Sequence, residues 1–395
     1  MDAQALYDFA PLARMALLGV LLAIGPLAWV WLRHRDAAPG SRLRALTLLT
    51  LFLTFDLVLF GAFTRLTDSG LGCPDWPGCY SSASPLGASE SIDAAQSAMP
   101  TGPVTHRKAW VEMVHRYLAT GVGVLITVLA AASWLQARRP RAMALSAPSP
   151  WWPTATLVWV CLQGAFGALT VTMKLYPAIV TAHLLGGMGL LVLLAAQSQA
   201  HVRAPLALSR GLYAGTLALF ALSVVQIALG GWVSTNYAVL ACSDFPTCQG
   251  SWWPAADFAQ GFTLLRELGA GKDGGYLPFA ALTAIHLTHR LGAAVVFIAM
   301  AALAWRLHAD GGAAPRRWAW AITAVAAWQF ASGLSNVVLG WPLAAALAHT
   351  AGAAALVTLL TLMLARAHQA RPRQHSPCLR RDDGLRRIRA SNPHV

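Results

Sequence analysis

Nine stretches of roughly 20 residues with few or no charges constrain the fold of this chain more than any other feature of the sequence. A helix of about 20 apolar residues spans the ~30 Å hydrocarbon core of a bilayer. The chain is 56% hydrophobic and 11% charged, whereas a soluble domain carries about 25% charged residues. We therefore predict an all-α polytopic membrane protein, with helices at residues 12–32, 45–63, 109–135, 155–173, 178–199, 211–234, 280–305, 318–338 and 343–365.

The basic residues lie mainly on one side of these helices. The formal net charge is +13, and 20 of the 29 Lys and Arg lie in alternate loops and the C-terminal tail. The positive-inside rule then puts the N-terminus outside and the C-terminus in the cytoplasm of a bacterial inner membrane. The charge is thus a topology signal, and no nucleic-acid partner is expected. The Arg-rich tail, residues 367–395, is expected to be disordered and to contact membrane lipid.

The two halves of the chain repeat the same motifs in the same order. Three motifs recur at offsets of 169, 174 and 166 residues: Cys73-x5-Cys79 as Cys242-x5-Cys248, His115-Arg116 as His289-Arg290, and His183 as His349. Apart from the helix at 12–32, each half has four helices that enter the bilayer from the same side, so the repeat is parallel. We predict two pseudosymmetric four-helix bundles plus one extra N-terminal transmembrane helix. The expected divisions are the extra helix and its loop (1–40), the N-terminal bundle (41–205), the C-terminal bundle (206–366) and the tail (367–395).

Four histidines lie at similar depth in these helices. His115 is about seven residues inside its helix, roughly 10 Å from the outer end, and His183, His289 and His349 are placed alike. Two imidazoles on neighbouring helices can ligate both faces of one haem iron. A lone intramembrane histidine would more simply make an interhelical hydrogen bond, and zinc would need three or four nearby protein ligands. The duplicated set predicts two haem-iron sites, His115 with His183 and His289 with His349.

Glu112 distinguishes the first half from the second. It lies three residues before His115 and shares its helix face, whereas His286 occupies the matching position in the second half. A carboxylate at membrane depth is costly and is a functional candidate. The alternative is a structural ion pair with Arg116 at the i,i+4 spacing. The asymmetry predicts that the first half performs chemistry, with Glu112 exchanging protons.

Arg116 and Arg290 directly follow two of the histidines. A guanidinium within the membrane needs an anionic or polar partner. Haem propionates would serve, and pairing with backbone carbonyls is the alternative.

The cysteine pairs Cys73–Cys79 and Cys242–Cys248 lie in loops on the outer, oxidising side, where disulfides persist. A disulfide over six residues constrains the shape of a loop more than it stabilises a whole fold. Each pair therefore either staples a loop over its site or passes electrons as a redox-active pair.

The chain resembles the haem A synthase family over about residues 45–366. The residues that carry the resemblance are Gly61-Ala-Phe-Thr-Arg65-Leu-Thr-Asp-Ser-Gly-Leu-Gly-Cys73-Pro-Asp-Trp-Pro, Glu112-x-x-His115-Arg116, His183, Gln226-Ile-x-Leu-Gly-Gly231, His289-Arg290 and His349. The resemblance implies two pseudosymmetric four-helix bundles and oxidation of the C8 methyl of haem O to a formyl group by successive hydroxylations. It implies substrate haem between His115 and His183, Glu112 near the reacting methyl, and a haem b cofactor on His289 and His349.

Two other functions remain open at this point. A dihaem b-type membrane electron-transfer subunit would explain four histidines but neither Glu112 nor the paired cysteine loops, and a haem exporter would use its histidines only transiently. The expected partners are haem O and membrane lipid. Haem O synthase, cytochrome oxidase assembly factors and further copies of this chain are additional candidates.

Overall fold

The computed structural model describes residues 10–138, 148–271, 275–310 and 312–370. In these ranges the chain forms eleven helices: α1 Ala10–Arg33, α2 Pro39–Leu66, α3 Ser89–Ala98, α4 His106–Ala137, α5 Trp151–Thr172, α6 Pro177–Ala200, α7 Arg210–Thr235, α8 Phe258–Gly261, α9 Phe279–Ala309, α10 Ala313–Val338 and α11 Leu343–Gln369. Nine of these helices, all except α3 and α8, are long and apolar enough to cross a membrane. The predicted all-α, nine-helix class is confirmed for the described residues.

Buried hydroxyl groups in these helices are satisfied by the helix itself. In α2, the hydroxyls of Thr47, Thr50 and Thr54 each donate to the carbonyl four residues earlier at 2.7–2.8 Å. All three side chains are buried. A buried hydroxyl without a partner costs about 1–3 kcal/mol, so this bonding allows polar residues to lie in an apolar core.

Each half of the chain forms a closed ring of four contacting helices. In the first half, α2 contacts α4, α4 contacts α5, α5 contacts α6, and α6 contacts α2. In the second half, α7, α9, α10 and α11 contact one another in the same order. The two halves meet where α6 contacts α7 and α11, and where α2 contacts α11. Side chains on the inner faces of a ring are therefore brought together within one half.

Helix α1 lies outside the first ring and packs against α4 and α2. A Cβ atom added at Gly19 would collide with the side chain of Thr120 on α4. Ala23 and Val30 of α1 join Leu125 and other residues in one buried cluster. Small residues let two helix backbones approach closely in a membrane. Gly19 therefore allows α1 to pack closely against α4 of the first half.

The two halves are also joined at the end of the helices where residues 67–105 and 236–278 lie, which we call the loop side. Arg65 donates to Ser234 O at 2.6 Å and to the Tyr237 hydroxyl at 3.1 Å. That hydroxyl donates to Asp68 at 2.7 Å. Burial raises the pKa of the Tyr237 phenol above its usual value, so the hydroxyl keeps its proton at neutral pH. By the 169-residue offset, Arg65 matches Ser234 and Asp68 matches Tyr237, so equivalent positions of the two halves contact each other here.

Two loop segments differ from what their local sequence predicts. The Ser/Ala/Pro-rich stretch 81–103 is predicted to be flexible, but it contains helix α3, whose Ile92 is fully buried. The segment 257–269 is predicted to be a short helix, but only Phe258–Gly261 is helical. That single turn is capped by Asp257, whose side chain accepts from Gln260 N at 3.0 Å. Helix α3 is ordered by contacts with other segments, since Ile92 joins Cys73, Ala109 and Met113 in one buried cluster.

Helix α11 continues to Gln369, so the predicted start of the tail at residue 367 falls within a helix. The disorder predicted for residues 367–395 is therefore wrong for residues 367–369, which are helical. Residues 371–395 lie outside the described residues, as do residues 1–9 of the N-terminal segment.

Candidate functional site

Each of the four histidines lies against a glycine on a neighbouring helix. A Cβ atom added to that glycine would lie 3.0–3.4 Å from the histidine Cε1: Gly61 against His115, Gly167 against His183, Gly230 against His289, and Gly333 against His349. A Cβ at Gly61, Gly230 or Gly333 would press on the imidazole by a few tenths of an ångström, and a Cβ at Gly167 would lie in contact with it. The glycines thus hold each ring edge-on against a helix backbone, and the arrangement is the same in both halves.

The histidines of each half face the interior of a ring from opposite helices. His115 on α4 and His183 on α6 lie diagonally across the first ring, and His289 on α9 and His349 on α11 do so in the second. The members of each pair are close enough to interact electrostatically. In the first pair, both Nδ1 atoms are buried and have no hydrogen-bond partner among the described residues. Two neutral nitrogen ligands entering from opposite sides are the donor set that a bis-imidazole haem requires, so the residues fit that group.

Glu112 is buried between its own helix and the first cysteine loop. Its Oε1 accepts from Arg116 Nη2 at 2.5 Å, and its Oε2 accepts from Cys73 N at 2.8 Å. The exposed fractions of the Glu112 and Arg116 side chains are 5% and 9%. The ion pair that the i,i+4 spacing suggested is therefore present. The contact with Cys73 is additional, and it fixes the carboxylate relative to the disulfide loop.

His286 fills the corresponding position in the second half without a carboxylate. Its Nδ1 lies 3.1 Å from Ala238 O, and its Nε2 accepts from Arg290 Nε at 3.3 Å. The second half therefore repeats the arginine and the loop but replaces an anionic group with a neutral ring. At this position, therefore, a carboxylate is present in the first half and absent from the second.

Arg116 and Arg290 hold the two cysteine loops through backbone carbonyls. Arg116 Nη1 donates to the carbonyls of Asp75, Pro77 and Gly78 at 2.5–3.2 Å. Arg290 donates at 2.8 Å to the carbonyls of Cys242, Asp244 and Thr247. These bonds correspond to the backbone-carbonyl alternative that the sequence left open. Contact of either arginine with a haem propionate stays a prediction.

The predicted cysteine pairs are bonded, Cys73 to Cys79 and Cys242 to Cys248. All four cysteines are at most 2% exposed. Each disulfide closes a turn in which the second cysteine pairs through its backbone with a serine three residues later. The disulfides are therefore buried parts of two similar loops, and whether they also pass electrons stays open.

An aspartate inside each disulfide ring organises the turn that follows. Asp75 accepts from Tyr80 N and Ser81 N, and Asp244 accepts from Gln249 N and Gly250 N. Asp244 also accepts from the Thr247 hydroxyl at 2.5 Å. Chiefly this side-chain hydrogen bond, with help from the backbone amides, lowers the pKa of Asp244 to about 2. The turn is therefore held by an ionised carboxylate throughout the physiological pH range.

Several site residues were not identified by sequence reasoning. The glycines behind His183 and His349 were not singled out, and those behind His115 and His289 entered only within motifs of the family resemblance. The signal that could have found them is the repeat offset, since Gly61 and Gly230 differ by 169 and Gly167 and Gly333 by 166. Asp56, which like Glu112 lies within a membrane-spanning helix, is exposed on α2. Among the described residues, no hydrogen bond joins it to any of the four histidines.

Comparison with known proteins gives a consistent picture. The family model described as COX15-CtaA, cytochrome oxidase assembly protein, matches residues 44–361. The chain is 36% identical to the heme A synthase of Shewanella oneidensis over 328 residues, which is 80% of this chain and 93% of that protein. It is 30% identical to the heme A synthase of Methylobacterium nodulans over 80% of this chain and 88% of the relative. It is 26% identical to that of Halalkalibacterium halodurans over 77% of this chain and 90% of the relative. The duplicated histidines, the two disulfide loops and this match over most of the sequence show that the chain belongs to the COX15-CtaA family of cytochrome oxidase assembly proteins.

Proposed function

We propose that this chain is a haem A synthase, an oxidoreductase that converts the C8 methyl of haem O to a formyl group by successive hydroxylations. Haem O lies between His115 and His183, and a resident haem b lies between His289 and His349. The observation that carries the proposal is the asymmetry of an otherwise repeated constellation, in which Glu112 of the first half is replaced by His286 in the second. The names of the relatives, heme A synthases, support the same function.

The proposed architecture is two pseudosymmetric four-helix bundles with α1 packed outside the first. The first bundle, within residues 41–205, takes the substrate, and the second, within residues 206–366, holds haem b. The loop side faces outward from the bacterial inner membrane, and the C-terminus is cytoplasmic. This orientation agrees with the formation of two disulfides at the loop side, because disulfides persist in oxidising compartments.

Glu112 is the catalytic residue in this proposal. Iron in the bound haems supplies the redox chemistry. The carboxylate is held at two points, by Arg116 Nη2 and by Cys73 N, so its position relative to His115 is fixed before substrate arrives. A preorganised carboxylate in a water-poor site stabilises positive charge that develops at the oxidised carbon. It also accepts a proton released there.

The test is Glu112→Ala in cells that require haem A for their oxidase. The variant should keep haem b bound, because the second half is untouched, and should block oxidation or stall it at an intermediate. Extracted haems are identified by mass and absorption spectrum. His286→Ala is the matched control at the equivalent position of the second half. Normal haem A production by the Glu112 variant would refute its catalytic role.

A dihaem electron carrier predicts a different outcome. In that case both halves would hold haem b, and deletion of the gene would leave cellular haem A intact. Loss of haem A with accumulation of haem O on deletion supports the synthase instead.

A further inference from the structure

Both haem-facing histidines of the second half have a polar partner on Nδ1. The side-chain amide of Gln226 on α7 lies 3.0 Å from His289 Nδ1, and its Nε2 donates to His289 O at 2.9 Å. The hydroxyl of Ser332 on α10 lies 3.1 Å from His349 Nδ1, and the side-chain amide of Gln329 lies 2.8 Å from the same nitrogen. That hydroxyl donates its own proton to Trp328 O at 2.8 Å. The lone pairs of the Ser332 oxygen are therefore free to accept a hydrogen bond from Nδ1–H.

The first half has no such partners. Nδ1 of His115 and Nδ1 of His183 are buried and unpaired within the described residues. The repeat offsets explain why. By the 169-residue offset, which also relates Gly61 on α2 to Gly230 on α7, Gln226 corresponds to Leu57. By the 166-residue offset, Ser332 corresponds to Phe166. Apolar residues therefore occupy the positions of Gln226 and Ser332. Gln163 matches Gln329 by the same 166-residue offset, but its Oε1 and His183 Nδ1 are both unpaired among the described residues.

The space around Gln226 differs between the halves in a matching way. A Cβ atom added at Gly292 of α9 would collide with Gln226 Oε1, so the glycine leaves room for the amide. The residue corresponding to Gly292, by the 174-residue offset of the His-Arg motifs, is Leu118. The second half thus pairs a glutamine with a glycine, whereas the first half has leucine at both positions. The space that accommodates the Gln226 side-chain amide is therefore specific to the second half.

Partners of this kind matter for a metal-bound imidazole. When Nε2 binds iron, Nδ1 carries the proton and needs an acceptor. Such a partner fixes the ring orientation and makes the nitrogen ligand more basic, and removing it typically costs 10–100-fold in metal affinity. Gln226 Oε1 is buried and has no partner among the described residues. A half-turn of the terminal amide brings this oxygen to His289 Nδ1, since the amide oxygen and nitrogen occupy equivalent positions. This turn replaces the bond from Nε2 to His289 O with the bond from Nδ1.

We infer that Gln226 and Ser332 are positioning residues that make the second-half site retain its haem, and that their replacement by Leu57 and Phe166 makes the first-half site exchangeable. This inference rests on the proposed function, in which one haem is resident and the other must enter and leave. The difference in haem retention is then set by four side chains that do not bind iron, those of Gln226, Ser332, Leu57 and Phe166. A substrate site needs rapid exchange, and ligands without fixed orientation provide it.

The first test measures the release of haem from the detergent-purified, full-length protein to excess apomyoglobin. Gln226→Leu and Ser332→Ala should each release second-half haem about 10-fold faster or more, in line with the usual effect of losing such a partner. The midpoint potential of that haem should rise, because a less basic imidazole stabilises ferric iron less. Ser332→Thr, which keeps the hydroxyl, should restore both properties. Ser335→Ala is the matched control, since Ser335 lies on the same helix and its hydroxyl donates to Ala331 O rather than facing a histidine.

The reciprocal test adds the amide to the first half. Leu57→Gln combined with Leu118→Gly should slow the release of haem b loaded into that half, without any change in the second half. Unchanged release rates and potentials in Gln226→Leu and Ser332→Ala would overturn the inference, as would unchanged release from the first-half double variant. None of these measurements requires oxidation. Asymmetric retention in a protein that makes no haem A would refute the proposed function alone, and normal haem A synthesis with unchanged retention in all variants would refute this inference alone.

Discussion

Replacing Arg116 should destabilise the protein more than replacing Arg290, although the two arginines hold equivalent loops. Each guanidinium donates to three backbone carbonyls of its cysteine loop. Substitution by methionine removes these bonds in both halves and preserves most of the side-chain volume. Only Arg116 also pairs with a carboxylate, that of Glu112. Arg290 in turn donates to the neutral ring of His286 at 3.3 Å. The difference between Arg116→Met and Arg290→Met therefore reports how much more the ion pair contributes than this neutral contact.

The magnitude follows from the burial of that pair. Hydrogen bonds to charged groups contribute about 1.5–3 kcal/mol each, but this loss is similar in both variants and cancels. Leaving one member of a buried ion pair without its partner costs about 3–5 kcal/mol. Protonation limits the cost, since neutralising a glutamate of ordinary solution pKa at pH 7 costs about 4 kcal/mol. Cys73 N still donates to Glu112, so we expect a difference of about 3 kcal/mol.

The assay is reversible unfolding of the purified protein in mixed micelles, with helix content followed as the denaturing detergent is increased. Arg116→Met should unfold with about 3 kcal/mol less stability than Arg290→Met. Adding Glu112→Gln to Arg116→Met removes the unpaired charge and should recover most of that difference, as a double-mutant cycle requires for coupled residues. Equal stabilities of the two single variants, or no recovery in the double variant, would refute the reasoning.

Three further predictions concern other parts of the structure. Gly230→Ala should lower the haem b content of the purified protein, because the added methyl would lie 3.1 Å from His289 Cε1, and the haem-to-protein ratio measures this. Arg65→Ala should make the loop connecting α2 and α3 more sensitive to proteolysis, since it removes the contacts with Ser234 and Tyr237; unchanged cleavage would contradict the proposed junction. Because the pKa of Asp244 is lowered to about 2, its stabilisation of the loop should be complete above about pH 4 and be lost only as the pH falls toward 2. Reduction of the second disulfide by a phosphine should accordingly be equally slow at pH 5 and pH 7, and faster at both in Asp244→Asn.

The sequence alone predicts the membrane class and the repeat, but not the detailed surroundings of the histidines. Helix positions follow from apolar length, and the disulfide pairs follow from spacing and compartment. The contact of Glu112 with Arg116 follows from their i,i+4 spacing. These features depend on residues that are close together in the sequence or on the properties of whole segments.

The remaining features depend on which helix faces which. In a membrane chain the lipid-facing side is as apolar as the core, so hydrophobic periodicity does not reveal the inner face of a helix. The contacting residues lie on different segments in each remaining case: the glycines against the histidines, Cys73 with Glu112, and Gln226 and Ser332 with His289 and His349. Only the relative placement of the helices brings these residues together. Helix α3 was missed for a similar reason, because its buried Ile92 packs against residues of distant segments.

The central claim is that each half holds one haem between its own pair of histidines, and that the two haems differ. The most direct measurement is the identity and amount of haem in the purified protein and in alanine variants of His115, His183, His289 and His349. We predict that His289→Ala and His349→Ala lose haem b, whereas His115→Ala and His183→Ala keep haem b and lose bound haem O and haem A. Retention of haem b with an unchanged bis-imidazole spectrum in His289→Ala or His349→Ala would contradict the account.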